Sequence, residues 1–291
     1  MGSLQPGRFD IHSRWKLENI MSDTFRPIGR RAFVVGAMAA TAATALPVFA
    51  ADKTVASARE KYADPKDPAL PKSSMKLDIS RAALVVIDPQ IDFMSDKGKA
   101  WGVVGESVTE QNLVPNLLRL FKAAKTADIT VAISPHYYYP HDHKWKVQGP
   151  AEQFQHDIKI FDRPSALSLE GFVGSGSDFM PEFKPYIEDN KTIVCSPHKL
   201  YGPQVNDLTL QLRKQLVSQV ILVGMLANLC VESHLRDLLE QGFEVAVVRD
   251  AVAGPKLPEG DGYASALVNY RFMANALWTT EETVAMLGGK A

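Results

Sequence analysis

From residue 81 onward, short apolar runs alternate with apolar stripes at helical spacing. The unbroken run in Arg81–Ile87 is followed by Ile129–Ile133, Thr192–Cys195, Val220–Val223, Glu244–Val248 and Ala276–Trp278. Runs without polar alternation predict strands buried on both faces, as in a parallel sheet covered by helices. Between them, Leu113, Leu117, Phe121 and Ala124 form one stripe, and Leu208, Leu212 and Leu216 a second. Val231, Leu235, Leu238 and Leu239 form a third, opposite Glu232, Arg236 and Glu240. Helices are also predicted over Tyr263–Asn275 and Thr280–Leu287. Ser107–Glu110 reads as a capping box, although Pro115 better suits the first turn of a helix capped at Asn112. Lys97–Glu106 reads as a loop carrying Trp101. Residues 144–190, with Gly149, Gly171, Gly174 and Gly176, have no clear period and predict a lid over the sheet. The alternation predicts an α/β fold: a doubly wound, Rossmann-like parallel sheet of about six strands with helices on both faces.

Open α/β sheets bind ligands beyond the carboxyl ends of their strands, where strand order reverses. Asp88, Lys199 and Cys230 each lie just past a predicted strand end. An acid, an amine and a thiol meeting in one crevice can activate a nucleophile. Cys230 also stands where strand gives way to helix, and free amides at a helix start favour a thiolate. The sequence pattern leaves open that Cys230 is a small buried filler, the usual place of a free cysteine.

Four stretches in order resemble the isochorismatase-like family of cysteine hydrolases. They are Leu84–Phe93 (LVVIDPQIDF), Lys199 after the strand ending at Cys195, Val223–Val231 (VGMLANLCV) and Gln241–Ala251 (QGFEVAVVRDA). The resemblance runs from about Ala82 to the C-terminus. It implies Cys230 as nucleophile, Asp88 as acid and base, and Lys199 as their electrostatic partner. It also implies an oxyanion hole from the amides of Leu226 and Cys230 beside a cis Met225–Leu226 peptide. Gln90, Asp92 and Phe93 read as structural. The loop after Lys199 and Ala227 depart from the family pattern, which bears on substrate. Trp101, His136, Tyr137, Tyr138, Trp145 and Tyr201 are expected to line the substrate site, and with Tyr139 they suggest a flat or ring-bearing molecule. One branch of the family holds a metal through an Asp-x-His pair and a further His. Ser134 stands at the Asp position here, so no metal and no cofactor are expected, with His136, His141 and His143 as the alternative set.

Charge and composition narrow the partners. The chain has 291 residues, 46% of them apolar, and a net charge of -1. Residues 1–50 hold six Lys/Arg against three Asp/Glu, leaving 26 against 30 in the rest, a net -4. With no basic stripe outside the leader, nucleic acid is not an expected partner. Arg30-Arg31 precedes an apolar, Ala-rich run that ends in Val48-Phe49-Ala50. This resembles a twin-arginine export signal cleaved after Ala50, leaving no stable membrane anchor. The expected organisation is a signal region (1–50), a linker or extended arm (51–76) and a hydrolase domain (77–291), periplasmic or secreted and homo-oligomeric. A nucleotide-binding oxidoreductase is disfavoured because neither glycine-containing turn reads GxGxxG. The reading is a hydrolase that cleaves a C–N bond of a small amide through an acyl-cysteine. Vinyl ether hydrolysis and an inactive, small-molecule-binding relative are the alternatives.

Overall fold

A computed structural model of the chain describes residues 46–71 and 75–289. The expected signal, Arg30-Arg31 and the first part of its apolar run, lies outside them. Among the described residues no helix is long and apolar enough to cross a membrane.

The described residues begin with α1 (Leu46–Lys61), β1 (Ala82–Ile87), α2 (Ile91–Met94), α3 (Trp101–Glu110), α4 (Leu113–Thr126) and β2 (Thr130–Ser134). Next come α5 (Pro150–Asp157), α6 (Lys184–Ile187), β3 (Ile193–Val194), α7 (Leu208–Lys214), β4 (Gln219–Met225) and α8 (Glu232–Glu240). They end with β5 (Glu244–Ala253), a small hairpin of β6 (Lys256–Leu257) and β7 (Gly260–Asp261), α9 (Gly262–Met273), β8 (Ala276–Trp278) and α10 (Thr280–Met286). Six strands form one sheet in the order β3-β2-β1-β4-β5-β8, and every neighbouring pair is parallel. The chain winds outward from β1 through β2 to β3, then restarts at β4 on the other side of β1. The order reverses between β1 and β4, so their carboxyl ends open a crevice.

Alternate residues of β1 serve opposite cores. Leu84 and Val86 face one layer, with Leu117, Phe121 and Val284; Ala83, Val85 and Ile87 face the other, with Leu212, Leu235 and Leu267. This is why the strand reads as uniformly apolar.

Three local expectations are corrected. Trp101 opens a helix rather than sitting in a loop, and this helix runs through the expected capping box to Glu110. Leu216 is exposed, because α7 stops at Lys214. The segment read as an extended arm is helical through Lys61 and held on the domain beyond it. Tyr62 is buried and donates its hydroxyl to Asp261 Oδ2 at 2.6 Å, while Arg249 and Arg271 both grip Asp64. Neither a strong apolar period nor a cap announced this helix: among its described side chains only Ala58 is buried.

Candidate active site

The crevice is built by two sharp turns. At the end of β1 the chain enters the left-handed region at Asp88 (φ 49°), whose amide donates to Ser134 O of β2 at 3.1 Å. At the end of β4, Gly224 has φ 116°, and a Cβ there would lie 2.0 Å from Ile87 O. Only glycine allows this approach of β4 to β1. The register between β4 and β5 shifts at this point, and the Met225–Leu226 peptide is cis. The chain then makes a π turn, Ala227–Val231, before α8 begins. That turn carries Cys230 to the crevice floor.

Asp88 and Cys230 are both fully buried, and each lies near enough to act on the other's ionisation. The thiol donates to Leu200 O at 2.9 Å, and the amides of Leu226 and Cys230 lie near enough to the sulfur to favour a thiolate. Burial, followed by the charge of Asp88, pushes the Cys230 thiol well above its ordinary range, and the two amides pull the other way without prevailing. The expected helix-start thiolate is therefore corrected: desolvation outweighs the local dipole, and the resting group is a thiol. Burial also raises the Asp88 carboxyl, opposed by His198.

The expected role of Lys199 is corrected as well. Its ammonium reaches Asp142 Oδ2 at 2.5 Å and Tyr137 O at 3.0 Å, and so braces the loop after β2. The side chain on Asp88 is His198, whose Nε2 donates to Oδ1 at 2.8 Å; Oδ2 keeps no hydrogen-bond partner. The reason is parity. His198 bridges in parallel to His136 in extended backbone, where consecutive side chains point to opposite sides, so only one of His198 and Lys199 can face inward. Alternation along Cys195–Lys199 was the available signal.

Two further buried histidines complete the floor. His136 has neither ring nitrogen hydrogen-bonded. His234 donates Nδ1–H to Cys230 O at 2.7 Å and accepts the Ser134 hydroxyl at Nε2 at 2.8 Å. Asn206 in turn donates to Ser134 Oγ at 2.8 Å. Burial first, then the proximity of His198, holds His136 and His234 well below the ordinary imidazole range, so both are neutral. Ser134, Asn206 and His234 were not anticipated; α8 periodicity placed His234 beside buried Leu235 and Leu238 without showing its partners.

The remaining expected site residues separate. Tyr138 is wholly buried, donates to Gln155 Oε1 at 2.8 Å and packs edge-on to His136, His156 and Trp145. Tyr137 lies against Phe172 and under the Arg163 guanidinium. Tyr201 is half-exposed at the rim; burial, and more weakly Glu152 and Cys230, raise its hydroxyl. Trp101 packs with the core layer of α4 and touches Gly105, and Trp145 packs at an angle against His156 and edge-on to Tyr138 in the loop cluster. Gln90 ties the crevice wall together: it donates to His136 O and Ser177 O, each at 2.9 Å, and accepts from His136 N. Asp92 accepts from Phe161 N at 2.8 Å. His136, His141 and His143 do not converge, since His141 is exposed beside Asp142 and His143 bonds Asp162 at 2.7 Å. Instead, potential ligand atoms of His136, His198 and Cys230 lie within 4.8 Å of one another.

Comparison with known proteins agrees with this architecture. A curated relative, the uncharacterized isochorismatase family protein YddQ of Bacillus subtilis (strain 168), is 26% identical over 111 residues, 37% of this chain. The match spans 60% of that relative's length. The fold is similar to that of a cysteine hydrolase from Pseudomonas syringae pv. phaseolicola 1448A, with a TM-score of 0.62 and 18% identity over 76% of this chain and 99% of that one. It is also similar to nicotinamidase PncA from Bacillus subtilis, with a TM-score of 0.50 and 18% identity over 68% of this chain and 99% of that one. The family model for the isochorismatase domain matches residues 82–282, which carry both β1 and the Cys230 turn, and the chain belongs to the isochorismatase family of hydrolases.

Proposed function

We propose that this protein hydrolyses a C–N bond of a small amide through an acyl-cysteine. The observation that carries the reading is the fully buried Cys230 thiol at the strand-order reversal beside the buried Asp88 carboxyl, with the Leu226 and Cys230 amides near the sulfur. In the attacking step Cys230 Sγ bonds to the amide carbon while its proton passes to Asp88. The carbonyl oxygen takes up the displaced electron pair and is held by the two amides. His198 fixes the carboxyl, occupying the position expected of Lys199. The intermediate collapses by breaking C–N, and Asp88 returns its proton to the departing amine. Asp88 then deprotonates a water that attacks the thioester, releasing the acid and restoring the thiol.

A resting thiol beside the Asp88 carboxylate suits this sequence. Proton transfer and sulfur attack are coupled, so a free thiolate need not persist in a dry site. Ammonia release from a panel of primary amides, with Cys230→Ala as control, tests the reading. Mass spectrometry during turnover should show an acyl adduct on the Cys230 peptide. One observation favours a second reading. The raised pKa of Asp88 equips it as an acid for protonating a vinyl ether, a reaction that needs no thiol. Efficient consumption of isochorismate by Cys230→Ala would replace the amidase reading with that one.

A further inference from the structure

We propose that His136, His198 and Cys230 form a metal site that takes a borderline-soft dication such as zinc and silences the thiol. Their ligand atoms all lie within 4.8 Å of one another, and all three side chains are fully buried. Two nitrogens and a thiolate are a donor set that zinc favours, leaving a fourth position open. Tetrahedral zinc sets such ligand atoms about 3.3–3.6 Å apart, so the triad has to draw in by at most about 1.5 Å.

The hydrogen-bond pattern supplies an independent argument. His198 gives its Nε2–H to Asp88 and keeps Nδ1 unpartnered. Metal-ligating histidines carry just this arrangement: one ring nitrogen on a carboxylate, the other on the ion. His136 is more unusual still, with both nitrogens orphaned in the interior. A buried polar group without a partner is costly, and an ion between the three side chains would take up one of the two His136 nitrogens together with His198 Nδ1. Charge also closes. Binding displaces the Cys230 proton to solvent, and the thiolate with the Asp88 carboxylate neutralises the dication. The same ion removes the sulfur lone pair from attack and breaks the thiol's bond to Leu200 O. The site is distinct from the set formed by His136, His141 and His143, whose last two members point elsewhere. It stands on the geometry of three side chains and not on which bond the enzyme cleaves.

Cobalt(II) titrated into the metal-free full chain tests it, with zinc as displacing ion. The expected result is a thiolate-to-cobalt charge-transfer band that saturates at one equivalent, vanishes on adding zinc and is absent in Cys230→Ser. His136→Gln and Asp88→Asn should each weaken zinc binding by at least about tenfold. On the unmodified protein, saturating zinc should protect the Cys230 peptide from iodoacetamide, read by mass spectrometry, and chelation should restore labelling. A cobalt spectrum without a thiolate band, or labelling that zinc leaves unchanged, overturns the proposal. Both readouts on the unmodified protein decide the matter even if a variant fails to fold.

Discussion

Exchanging the roles of two adjacent residues, His198 and Lys199, provides the sharpest test of the site. His198→Leu removes the described donor to Asp88, a 2.8 Å bond between two fully buried groups. A hydrogen bond to a charged group contributes about 1.5–3 kcal/mol. The loss therefore lowers kcat/KM by about 10- to 150-fold if the ionised carboxylate is needed for attack. Because His198 opposes the burial that raises Asp88, its removal raises the carboxyl further. A raised carboxyl stays protonated to higher pH, so the acidic limb of kcat/KM moves upward. Lys199→Ala instead strips a cation from Asp142, which is 3% exposed and also accepts from Tyr139 N. That change costs stability, about 1–3 kcal/mol, but leaves the Asp88–Cys230 pair alone and should lower kcat/KM by less than about tenfold without moving the acidic limb. Ammonia release across pH, using the best amide from the panel, reads both variants, with thermal unfolding as the folding control. Near-complete loss of activity in a folded Lys199→Ala protein, together with near-normal His198→Leu, would refute the argument.

Other outcomes follow from the same geometry. Cys230→Ala should abolish amide turnover while unfolding at a near-normal temperature; retained activity contradicts the nucleophile assignment. In the native protein Cys230 should label slowly with iodoacetamide near neutral pH and faster as pH rises, because burial raises its pKa; rapid labelling at pH 6 would show a free thiolate. Gly224→Ala places a Cβ 2.0 Å from Ile87 O at φ 116° and should cost more than about 3 kcal/mol, seen as loss of soluble protein or a large fall in Tm. Replacing Arg30 and Arg31 with lysine should hold the precursor in the cytoplasm, as cell fractionation would reveal.

Sequence periodicity was enough to locate every strand of the main sheet, and with it the α/β layering, although β5 runs on from the expected Val248 to Ala253. Strands such as Ala82–Ile87 are apolar on both faces because helices cover both, and that signal is local. The glycine before the Cys230 turn was visible too, although not that β4 continues through it to Met225. Asp88 and Cys230 were legible because each lies just past a strand end, and strand ends meet at the reversal of sheet order. What escaped was whatever depends on which way a side chain points outside regular elements. His198 and Lys199 are neighbours, and only the extended bridge to His136 turns the imidazole inward. The state of Cys230 escaped for a related reason: a helix start is local and argues for a thiolate, whereas burial sums over the whole enclosing shell and argues, with greater force, for a thiol. Parity within strands and helices is written in the order of residues; desolvation and the partners of buried polar groups arise only when distant segments close on one another.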